Sequence, residues 1–585
     1  MKRSIVQLCR IACARGARAL ACCALLAGCS FDSADEAAAP NTCLVQADCA
    51  SGLVCQAGVC AMRAGDAQPL DVTLEITPKR MPDGSQSFPI LYGPFTLQGI
   101  ERTFALPVPA LVKGSVSEGL ALVSAQLTFV PTEAPASLAK PIQARSSLIN
   151  LRNEYSVQLL AGTEYRVTVQ PTEPDIPPYT TTFVAEQGAE LNINYSELPR
   201  TTQSYWIKNL PSVPVGQSLT LKARAKDTNQ IISSKEKLGE GRATLEFMSE
   251  TLPPYKLEIA AESLTGSQIA AIGGGCENDS PLVPTFTIDD SSLKRETSTR
   301  AQGAYDLSVE LPTLPKPVEY SGAITLCESS KGLENLVVSL RSNALAISNL
   351  PQGVTAAFSV STTADRKSTK FCTRAMPGEY VVVVTPPANV KCEIFAEKRQ
   401  VQAERDPDTL ELRVPTRLNG KILDNNMAPM ANAKIDAVAL GIDTTMMLAA
   451  NDLTVPIYNR SRQTSTDSEG KFALFVDVGV YDLIVKPPMQ SGFGWQIRPG
   501  LNVGSARRED FTTRVELTPP ALVEGGLRYD DNKNQGSLAG AEVHAYTVEG
   551  EGTPNERTVE IGYTQADDNG NIMLLISPES QQPSW

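Results

Sequence analysis

Apolar and polar residues alternate in short runs along most of this chain, and one stretch shows the pattern most clearly. Thr464 to Pro488 reads TSTDSEGKFALFVDVGVYDLIVKPP, with turn residues at Asp467 to Gly470 and again at Gly479. Phe472 to Val476 and Tyr481 to Val485 are the two apolar runs. Two such runs separated by a glycine turn are typical of a β-hairpin. The pattern therefore predicts two antiparallel strands here.

The same stretch occurs a second time in the chain. Lys370 to Pro387 (KFCTRAMPGEYVVVVTPP) aligns with Lys471 to Pro488 without a gap, at an offset of 101 residues. Tyr380 aligns with Tyr481, and Tyr165 holds a similar place in YSVQLLAGTEYRVTVQP. A repeat of about 100 residues indicates an array of complete domains. We expect each of these tyrosines to bury its ring and to keep its hydroxyl at the rim.

The spacing of the runs predicts an all-β fold of tandem antiparallel β-sandwich domains. Short alternating runs recur at close, regular intervals between Gly, Pro, Asp and Asn, and no long helical period follows Gly28. Junctions rich in proline and glycine suggest the boundaries. The predicted segments are a signal peptide (1–28), a flexible tether (29–42), a cysteine-rich module (43–60), a linker with a partial β unit (61–105) and five sandwiches (106–200, 201–316, 317–415, 416–519 and 520–585).

The first and last β segments both read as incomplete. DVTLEITP, from Asp71, is similar to YDLIVKPP and reads as the second half of a unit. Alignment of Asp567 with Asp467 leaves the last unit about 30 residues short. Either the gene is truncated, or the open edge accepts a strand from another chain. Both alternatives predict that residues 520–585 are unstable alone.

The segment from Met1 to Gly28 has the form of an export signal. Basic residues precede a short apolar core, Ala19 to Ala27, which is shorter than the roughly 20 residues that span a bilayer. The segment and the residue after it read Leu-Ala-Gly-Cys29, which resembles the bacterial lipobox. The resemblance implies that Cys29 is acylated and anchors the protein in a membrane; with Ser30 following, that is the outer membrane of a Gram-negative bacterium. The alternative is an ordinary secretory leader.

The remaining cysteines are predicted to form disulfides. Cys43, Cys49, Cys55 and Cys60 form one tight cluster, at intervals longer than most zinc sites use, and an exported chain meets an oxidising compartment. Two disulfides are favoured over zinc, with connectivity open. Farther along, Cys372 and Cys392 are expected to pair within one unit, leaving Cys276 to pair with Cys327 between units, with other pairings open.

The best-preserved units resemble a known accessory domain. The order G-x-[IVL], turn, A-x-V, then TD-x-x-G-x-F and G-x-Y-x-L-x-V is similar to the carboxypeptidase regulatory-like domain, a transthyretin-like antiparallel sandwich. The match is good over 417–518 and 520–576, moderate over 317–415 and weaker before. The resemblance implies only the sandwich and not the peptidase.

Composition argues against several function classes. The net charge of −13 disfavours nucleic acid, whose affinity comes largely from Lys and Arg. His544 is the one histidine and sits in a strand pattern, EVHAY, which argues against His-based zinc or triad catalysis. The segment Asp530 to Gly536 does not fit a calcium-binding loop. The segment Gly273 to Cys276 does not fit a phosphate-binding loop. We predict no enzyme activity, no cofactor and no metal.

Aromatic residues in one loop suggest the only candidate ligand platform. GFGWQIRPG offers Phe493 and Trp495 to a sugar or a peptide, although such aromatics also cap the open end of a sandwich. Two functions are considered. The first is a lipid-anchored surface protein that binds a protein or glycan through its loops. The second is a structural stalk.

Overall fold

The computed structural model describes most of the chain after residue 40. The described residues are 41–51, 53–62, 71–79, 89–96, 101–107, 109–134, 138–149, 152–263, 271–272, 276, 282–297, 305–327, 336–365, 368–387, 392–403, 406–441, 459–503, 511–529, 538–549 and 556–577. They form β-strands joined by turns and short 3₁₀ helices. The all-β prediction is confirmed, and the strands group into mainly antiparallel sheets that pack as sandwiches. Several sheets also contain a parallel pair of strands.

Unit 1 follows a two-stranded N-terminal hairpin and three strands, β3 to β5. These three strands are part of the last unit, which is described below. The hairpin is β1 (Leu53–Gln56) and β2 (Val59–Met62); the three strands are β3 (Asp71–Thr77), β4 (Ile90–Thr96) and β5 (Glu101–Leu106). Unit 1 contains β6 (Pro109–Glu118), β7 (Ala121–Leu122), β8 (Ala125–Pro131), β9 (Ile142–Arg145), β10 (Ser147–Ile149), β11 (Arg152–Leu160), β12 (Glu164–Pro171), β13 (Tyr179–Val184) and β14 (Ile193–Asn194).

Units 2 and 3 share one continuous sheet. Unit 2 contains β15 (Thr201–Lys208), β16 (Gln217–Ala225), β17 (Glu236–Lys237), β18 (Arg242–Phe247), β19 (Tyr255–Ser263), β20 (Ala271–Ile272), β21 (Thr285–Asp289), β22 (Lys294–Thr297) and β23 (Tyr305–Glu310). Unit 3 contains β24 (Val318–Thr325), β25 (Val337–Leu345), β26 (Val354–Thr363), β27 (Lys370–Ala375), β28 (Gly378–Thr385), β29 (Phe395–Val401) and β30 (Asp408–Glu411). Antiparallel pairing of β21 with β26 joins the two units through their backbones.

Unit 4 shows the repeated architecture in its simplest form. Its strands are β31 (Thr416–Leu423), β32 (Lys434–Gly441), β33 (Arg462–Ser465), β34 (Lys471–Val476), β35 (Gly479–Lys486), β36 (Gln496–Val503) and β37 (Phe511–Glu516). One sheet has the order β34-β31-β37, the other β33-β32-β35-β36, and apolar side chains of both meet in one core. The two predicted strands are present as β34 and β35, but the predicted hairpin is wrong. β34 pairs with β31 in one sheet, and β35 pairs with β32 and β36 in the other.

The turn before β34 explains the TD-x-x-G motif. The carboxylate of Asp467 accepts hydrogen bonds from the backbone N–H groups of Glu469 and Lys471, at 2.9 and 2.8 Å. Gly470 has a φ of 72°, and a Cβ there would lie 2.5 Å from the carbonyl oxygen of Ile422. Asp567 repeats these bonds in the last unit. Asp closes the turn, and only glycine fits its left-handed position without strain.

The tyrosines at the repeated position are buried completely, as predicted, but their hydroxyls are not at a solvated rim. The hydroxyls of Tyr380 and Tyr481 donate to the carbonyl oxygens of Met376 and Asp477, four residues upstream, at 2.8 and 3.0 Å. The hydroxyl of Tyr165 instead accepts the N–H of Leu160 at 3.0 Å. Each tyrosine therefore pins its strand to the preceding backbone, as the tyrosine corner does in immunoglobulin-like sandwiches.

The last unit is built from both ends of the described chain. Its C-terminal strands are β38 (Ala521–Tyr529), β39 (Glu542–Glu549), β40 (Arg557–Gln565) and β41 (Asn571–Ile576). β3 pairs with β39 and β5 pairs with β38, giving sheets of order β4-β3-β39-β40 and β41-β38-β5. β3, β4 and β5 thus stand where β35, β36 and β37 stand in unit 4. We call this the shared unit.

The expectation of an unfinished last unit is therefore corrected. Neither a truncation nor a strand from another chain is needed to fill its edges, because the half-unit after Asp71 supplies the missing strands. One core contains Leu74 and Phe104 from the N-terminal half with Val543 and Leu574 from the C-terminal half, and all four are fully buried. The two half-units stabilise each other by burying one common apolar interior.

The shared unit also closes the path of the chain. The chain leaves this unit after β5, passes through units 1 to 4 and returns at β38, so the five units form a closed circuit. Polar contacts join successive members. They are Arg200 with Glu118 and Glu246 (units 1 and 2), Arg460 with Asp477 and the carbonyl of Cys392 (units 3 and 4), Arg557 with Asp482 (unit 4 and the shared unit) and Lys140 with Glu75 (unit 1 and the shared unit).

Candidate binding surfaces

The anchoring cysteine predicted from the lipobox, Cys29, lies outside the described residues, as do residues 530–536 and Gly273 to Gly275. Among the residues that the structure describes, none forms an apolar helix of membrane-spanning length. The anchor thus stays a prediction from the sequence.

The cysteine-rich module forms two disulfides, as predicted, and the structure gives their connectivity. Cys43 pairs with Cys55 and Cys49 with Cys60. The module packs against unit 4 and against the segment that leads into the shared unit. The Asn41 side chain donates to the carbonyl of Gly492 at 2.6 Å, and the N–H of Met62 donates to the carbonyl of Pro520 at 3.0 Å. The module is therefore a docked element at the junction of unit 4 and the shared unit.

The pairing predicted for the other four cysteines is wrong. Cys276 pairs with Cys372, and Cys327 pairs with Cys392. Cys372 lies in β27 between Phe371 and Thr373, which are buried, so its side chain faces away from the core. Cys392 is fully buried inside the core of unit 3. Cys372 and Cys392 lie on opposite sides of one sheet, and each finds its partner on its own side.

Of the two interpretations of Phe493 and Trp495, the structure supports capping of the sandwich end and not a ligand platform. Phe493 is 3% exposed and belongs to the core of unit 4, so it offers no face to a ligand. Trp495 is half-buried against the core of the shared unit, where its backbone bridges to Ile576, and the Lys486 ammonium lies 4.0 Å from its ring centroid. Both aromatics pack at the end of the sandwich, where the shared unit docks.

His544 lies on the sheet face predicted for it. It stands in β39 between Val543 and Ala545, which are fully buried, and is itself half-buried on the outer face. Its Nδ1 atom lies 2.6 Å from Oε1 of Glu560. This hydrogen bond raises the pKa of His544 and outweighs the opposing effect of burial. The arrangement is a carboxylate–imidazole pair between two strands.

Glu75 extends that pair toward unit 1. It is 4% exposed and lies opposite His544 in the β3–β39 ladder. Its Oε1 atom accepts a hydrogen bond of 2.6 Å from Lys140, which follows β8 of unit 1. A crevice of about 150 Å³ opens beside the two side chains, lined mainly by apolar residues such as Leu91 and Leu138. The ion pair of Lys140 and Glu75 links unit 1 to the shared unit.

The larger candidate surface is an open groove of about 800 Å³ on the outer face of the β34-β31-β37 sheet. Strand alternation sends Leu418 and Ile422 of β31 into the core, and Arg417 and Lys421 to the outer face. Four cations and one carboxylate line the groove: Arg417, Lys421, Lys471 and Arg514, with Asp467. This is a concentration of positive charge on an acidic protein.

The cations of this groove are in register across three strands. Lys421 lies opposite Lys471 in one ladder and beside Arg514 in the other. Adjacent strands are about 4.8 Å apart, so the backbone positions of the three residues lie within roughly 10 Å of one another. We call Lys471, Lys421 and Arg514 the basic row. The sequence analysis missed it because its members come from three separate segments, and only the sheet register brings them together.

Beside the basic row lies an exposed aromatic side chain. Phe475 of β34 is 50% exposed and pairs with Arg417, whose guanidinium carbon lies 6.0 Å from the ring centroid. Ala473 and Asn419 separate this pair from the basic row. The face thus combines a flat apolar area with a line of cations, an arrangement suited to an extended anionic ligand.

Comparisons with known proteins place the chain in no family. No protein family matches the sequence, and no curated protein does. Among solved structures, the Bacillus anthracis TIE protein matches at 10% identity and a TM-score of 0.14, over 67% of this chain and 68% of that chain. A streptococcal ancillary pilin matches at 10% identity and a TM-score of 0.19, over 55% and 100%. The minor pilin of Streptococcus agalactiae matches at 12% identity and a TM-score of 0.19, over 34% and 95%.

Proposed function

We propose that this protein is a non-enzymatic cell-surface binding protein, anchored by acylated Cys29 in the outer membrane of a Gram-negative bacterium. The lipobox-like Leu-Ala-Gly-Cys29 sequence supports the anchor. Similarity of units 3, 4 and the shared unit to carboxypeptidase regulatory-like domains supports an accessory, non-catalytic role. The pairing of His544 with a carboxylate between two strands is consistent with that role.

The closed circuit of units favours binding over the alternative of a stalk. The reach of a linear array grows with each added domain, which is what a spacer requires. Here β5 and β38 are paired in one unit, so the chain that leaves the shared unit must return to it. Such an arrangement holds surfaces in fixed mutual positions rather than extending a partner away from a membrane. This single relationship is the main support for the binding function.

Retention of cell-envelope polymers on the immobilised protein tests the binding function. We expect the chain from Ser30 onward, immobilised at low density, to retain at least one fraction of an envelope extract separated into polysaccharides, peptidoglycan and proteins. An unrelated acidic β-sandwich protein of similar charge is the control. Retention of no fraction above that control would contradict the binding function and leave the stalk.

The anchor is tested separately. Full-length protein and the Cys29→Ala variant are expressed with the intact leader, and membranes are separated by sedimentation. We expect the wild type in the membrane fraction and the variant in the soluble fraction. Membrane association of Cys29→Ala equal to that of the wild type would contradict lipid anchoring.

A further inference from the structure

We propose that the outer face of the β34-β31-β37 sheet of unit 4 binds a linear acidic polysaccharide, a polyuronate with one carboxylate on each sugar. The inference rests on the proposed binding function and names its site and ligand class. It starts from the basic row, because three cations facing one another across neighbouring strands are unfavourable for the sheet itself. Like charges directly opposite destabilise a β-ladder.

The central cation of the row has no acidic partner. Among the described residues, no carboxylate lies within ion-pair distance of Lys421, which is half-buried between its two neighbours. Lys471 pairs with Glu469 at 2.5 Å and is also attracted to Asp467, and Arg514 pairs with Glu516 at 3.1 Å. Those pairs are more than half exposed and contribute little to stability. An anion above Lys421 would relieve the repulsion along the whole row.

Equivalent faces of unit 1, unit 3 and the shared unit lack this charge. In unit 3 the corresponding row is Lys370, Ala323 and Thr409; in the shared unit it is Asn571, Gly526 and Thr103. The corresponding groove of unit 1, of about 490 Å³, contains one cation, Lys113, with the acids Glu154 and Glu190 and the polar residues Ser115 and Asn192. The fold therefore does not require cations at these positions. Unit 4 alone among these four faces has three in a row.

The form of the face selects the class of ligand. Extended peptides usually add to the edge of a sheet, where free backbone groups bond them, whereas this groove offers side chains on a face. The cations repeat at the strand spacing of about 4.8 Å, so the row is roughly 10 Å long. A row of this length is comparable with two sugar residues, so a polyuronate lying along it would bring carboxylates to the cations. Exposed Phe475 offers an apolar face for the C–H side of a sugar ring.

Binding of polygalacturonate to the purified chain from Ser30 onward tests the inference, by calorimetry or biosensor at low ionic strength. Neutral dextran and polyglutamate are the comparison ligands. The test variant is Lys421→Gln with Arg514→Gln, and its matched control is Lys370→Gln at the equivalent place in unit 3. Because the mutated groups repel each other, the double variant should unfold at the wild-type temperature or higher.

We expect polygalacturonate to bind, dextran not to bind, and polyglutamate to bind more weakly. Affinity for polygalacturonate should fall about tenfold in the double variant and stay unchanged in Lys370→Gln. Polyglutamate binding as tightly as polygalacturonate would overturn the ligand class, and unchanged affinity in the double variant would overturn the site. If envelope fractions are retained but polygalacturonate is not, this inference fails while the proposed function stands. Failure to retain any envelope fraction would contradict the proposed function itself.

Discussion

Glu75 in β3 and His544 in β39 are direct cross-strand neighbours, although almost the whole chain separates them in sequence. Their ladder joins the first half-unit to the last. A unit whose two sheets both contain strands from each half is not stable when one half is removed, because its apolar core is then left open to water.

Fragments provide the first prediction. Residues 520–577 alone should be unfolded, whereas the same residues fused through a short turn after Ile576 to residues 71–106 should fold cooperatively. The fusion copies the β34–β35 connection of unit 4. Chemical-shift dispersion in NMR spectra and thermal unfolding followed by circular dichroism would measure both. A second fusion, with the β3–β5 sequence scrambled, is the control. Cooperative unfolding of the unfused fragment as a monomer would contradict the shared unit.

The second prediction concerns the ionisation of His544. Because Glu560 accepts from the imidazole, the pKa of His544 should lie above its ordinary value of 6.5. A raised pKa in the folded state gives stability that is complete below the unfolded pKa and is lost as pH rises through the folded pKa. The chain has one histidine, so its ring proton gives a single titrating NMR signal.

Glu560→Gln is the test variant for this titration. Its midpoint should be lower than that of the wild type, and the loss of stability on raising the pH should become smaller. Glu516→Gln, which removes an exposed acid on unit 4, is the control and should leave the midpoint unchanged. Equal midpoints in the wild type and Glu560→Gln would show that the carboxylate does not hold the proton.

The third prediction uses the opposite hydrogen-bonding roles of the tyrosine corners. Tyr165→Phe removes an acceptor and leaves the buried N–H of Leu160 without it, so about 1–3 kcal/mol of unfolding free energy should be lost. Tyr481→Phe removes a donor to a carbonyl and should cost about 1 kcal/mol. Urea unfolding measures both, with half-exposed Tyr179→Phe as the control. An effect of Tyr179→Phe as large as that of Tyr165→Phe would contradict this role.

Burial of these tyrosines also predicts alkaline unfolding. It raises the pKa of Tyr165 to about 12, and it raises the pKa of Tyr481 as well. The unfolded chain loses these protons near pH 10, so stability should fall as pH rises from about 10 through 12. Phenolate absorbance should therefore increase together with loss of the strand signal in circular dichroism. Ionisation of all tyrosines with the fold intact would contradict the burial.

The fourth prediction concerns the contact between units 3 and 4. Asp477 is 1% exposed, lies 2.5 Å from Arg460, and accepts the N–H of Ile394 of unit 3 at 3.1 Å. Asp477→Ala leaves a largely buried guanidinium unpaired and should lower stability by about 3–5 kcal/mol. The more exposed pair of Asp436 and Lys486 is the control, and Asp436→Ala should cost less than about 1 kcal/mol. Hydrogen exchange should increase in β29 and β34 only for Asp477→Ala.

The sequence contained most of the local structure and little of what joins it. Turn chemistry at Asp467 and Gly470, and the alternation around Phe472, predict the two strands because they depend only on neighbouring residues. The similarity of DVTLEITP to YDLIVKPP identified a half-unit. It did not show where the half-unit packs. That position depends on which core, elsewhere in the chain, lacks strands to cover it.

The failed predictions share one physical cause. The pairing of Cys372 with Cys392 was inferred from their separation, but the face of β27 that carries Cys372 decides its partner. The alternative of a ligand platform fails because Phe493 fills the core of unit 4. The basic row depends on the register of three strands. Side, depth and register are set by packing between segments, and a single sequence does not specify them locally.

The shared unit imposes an order on synthesis. Gln56 and Glu524 are hydrogen-bonded across 468 residues, so the first strands are made long before their partners. At translation rates of roughly 5–20 residues per second, that interval is on the order of a minute, far longer than one sandwich needs to fold. Throughout it, β3 to β5 present bare strand edges and an uncovered apolar side. Until β38 to β41 have been synthesised, β3 to β5 are therefore exposed to aggregation.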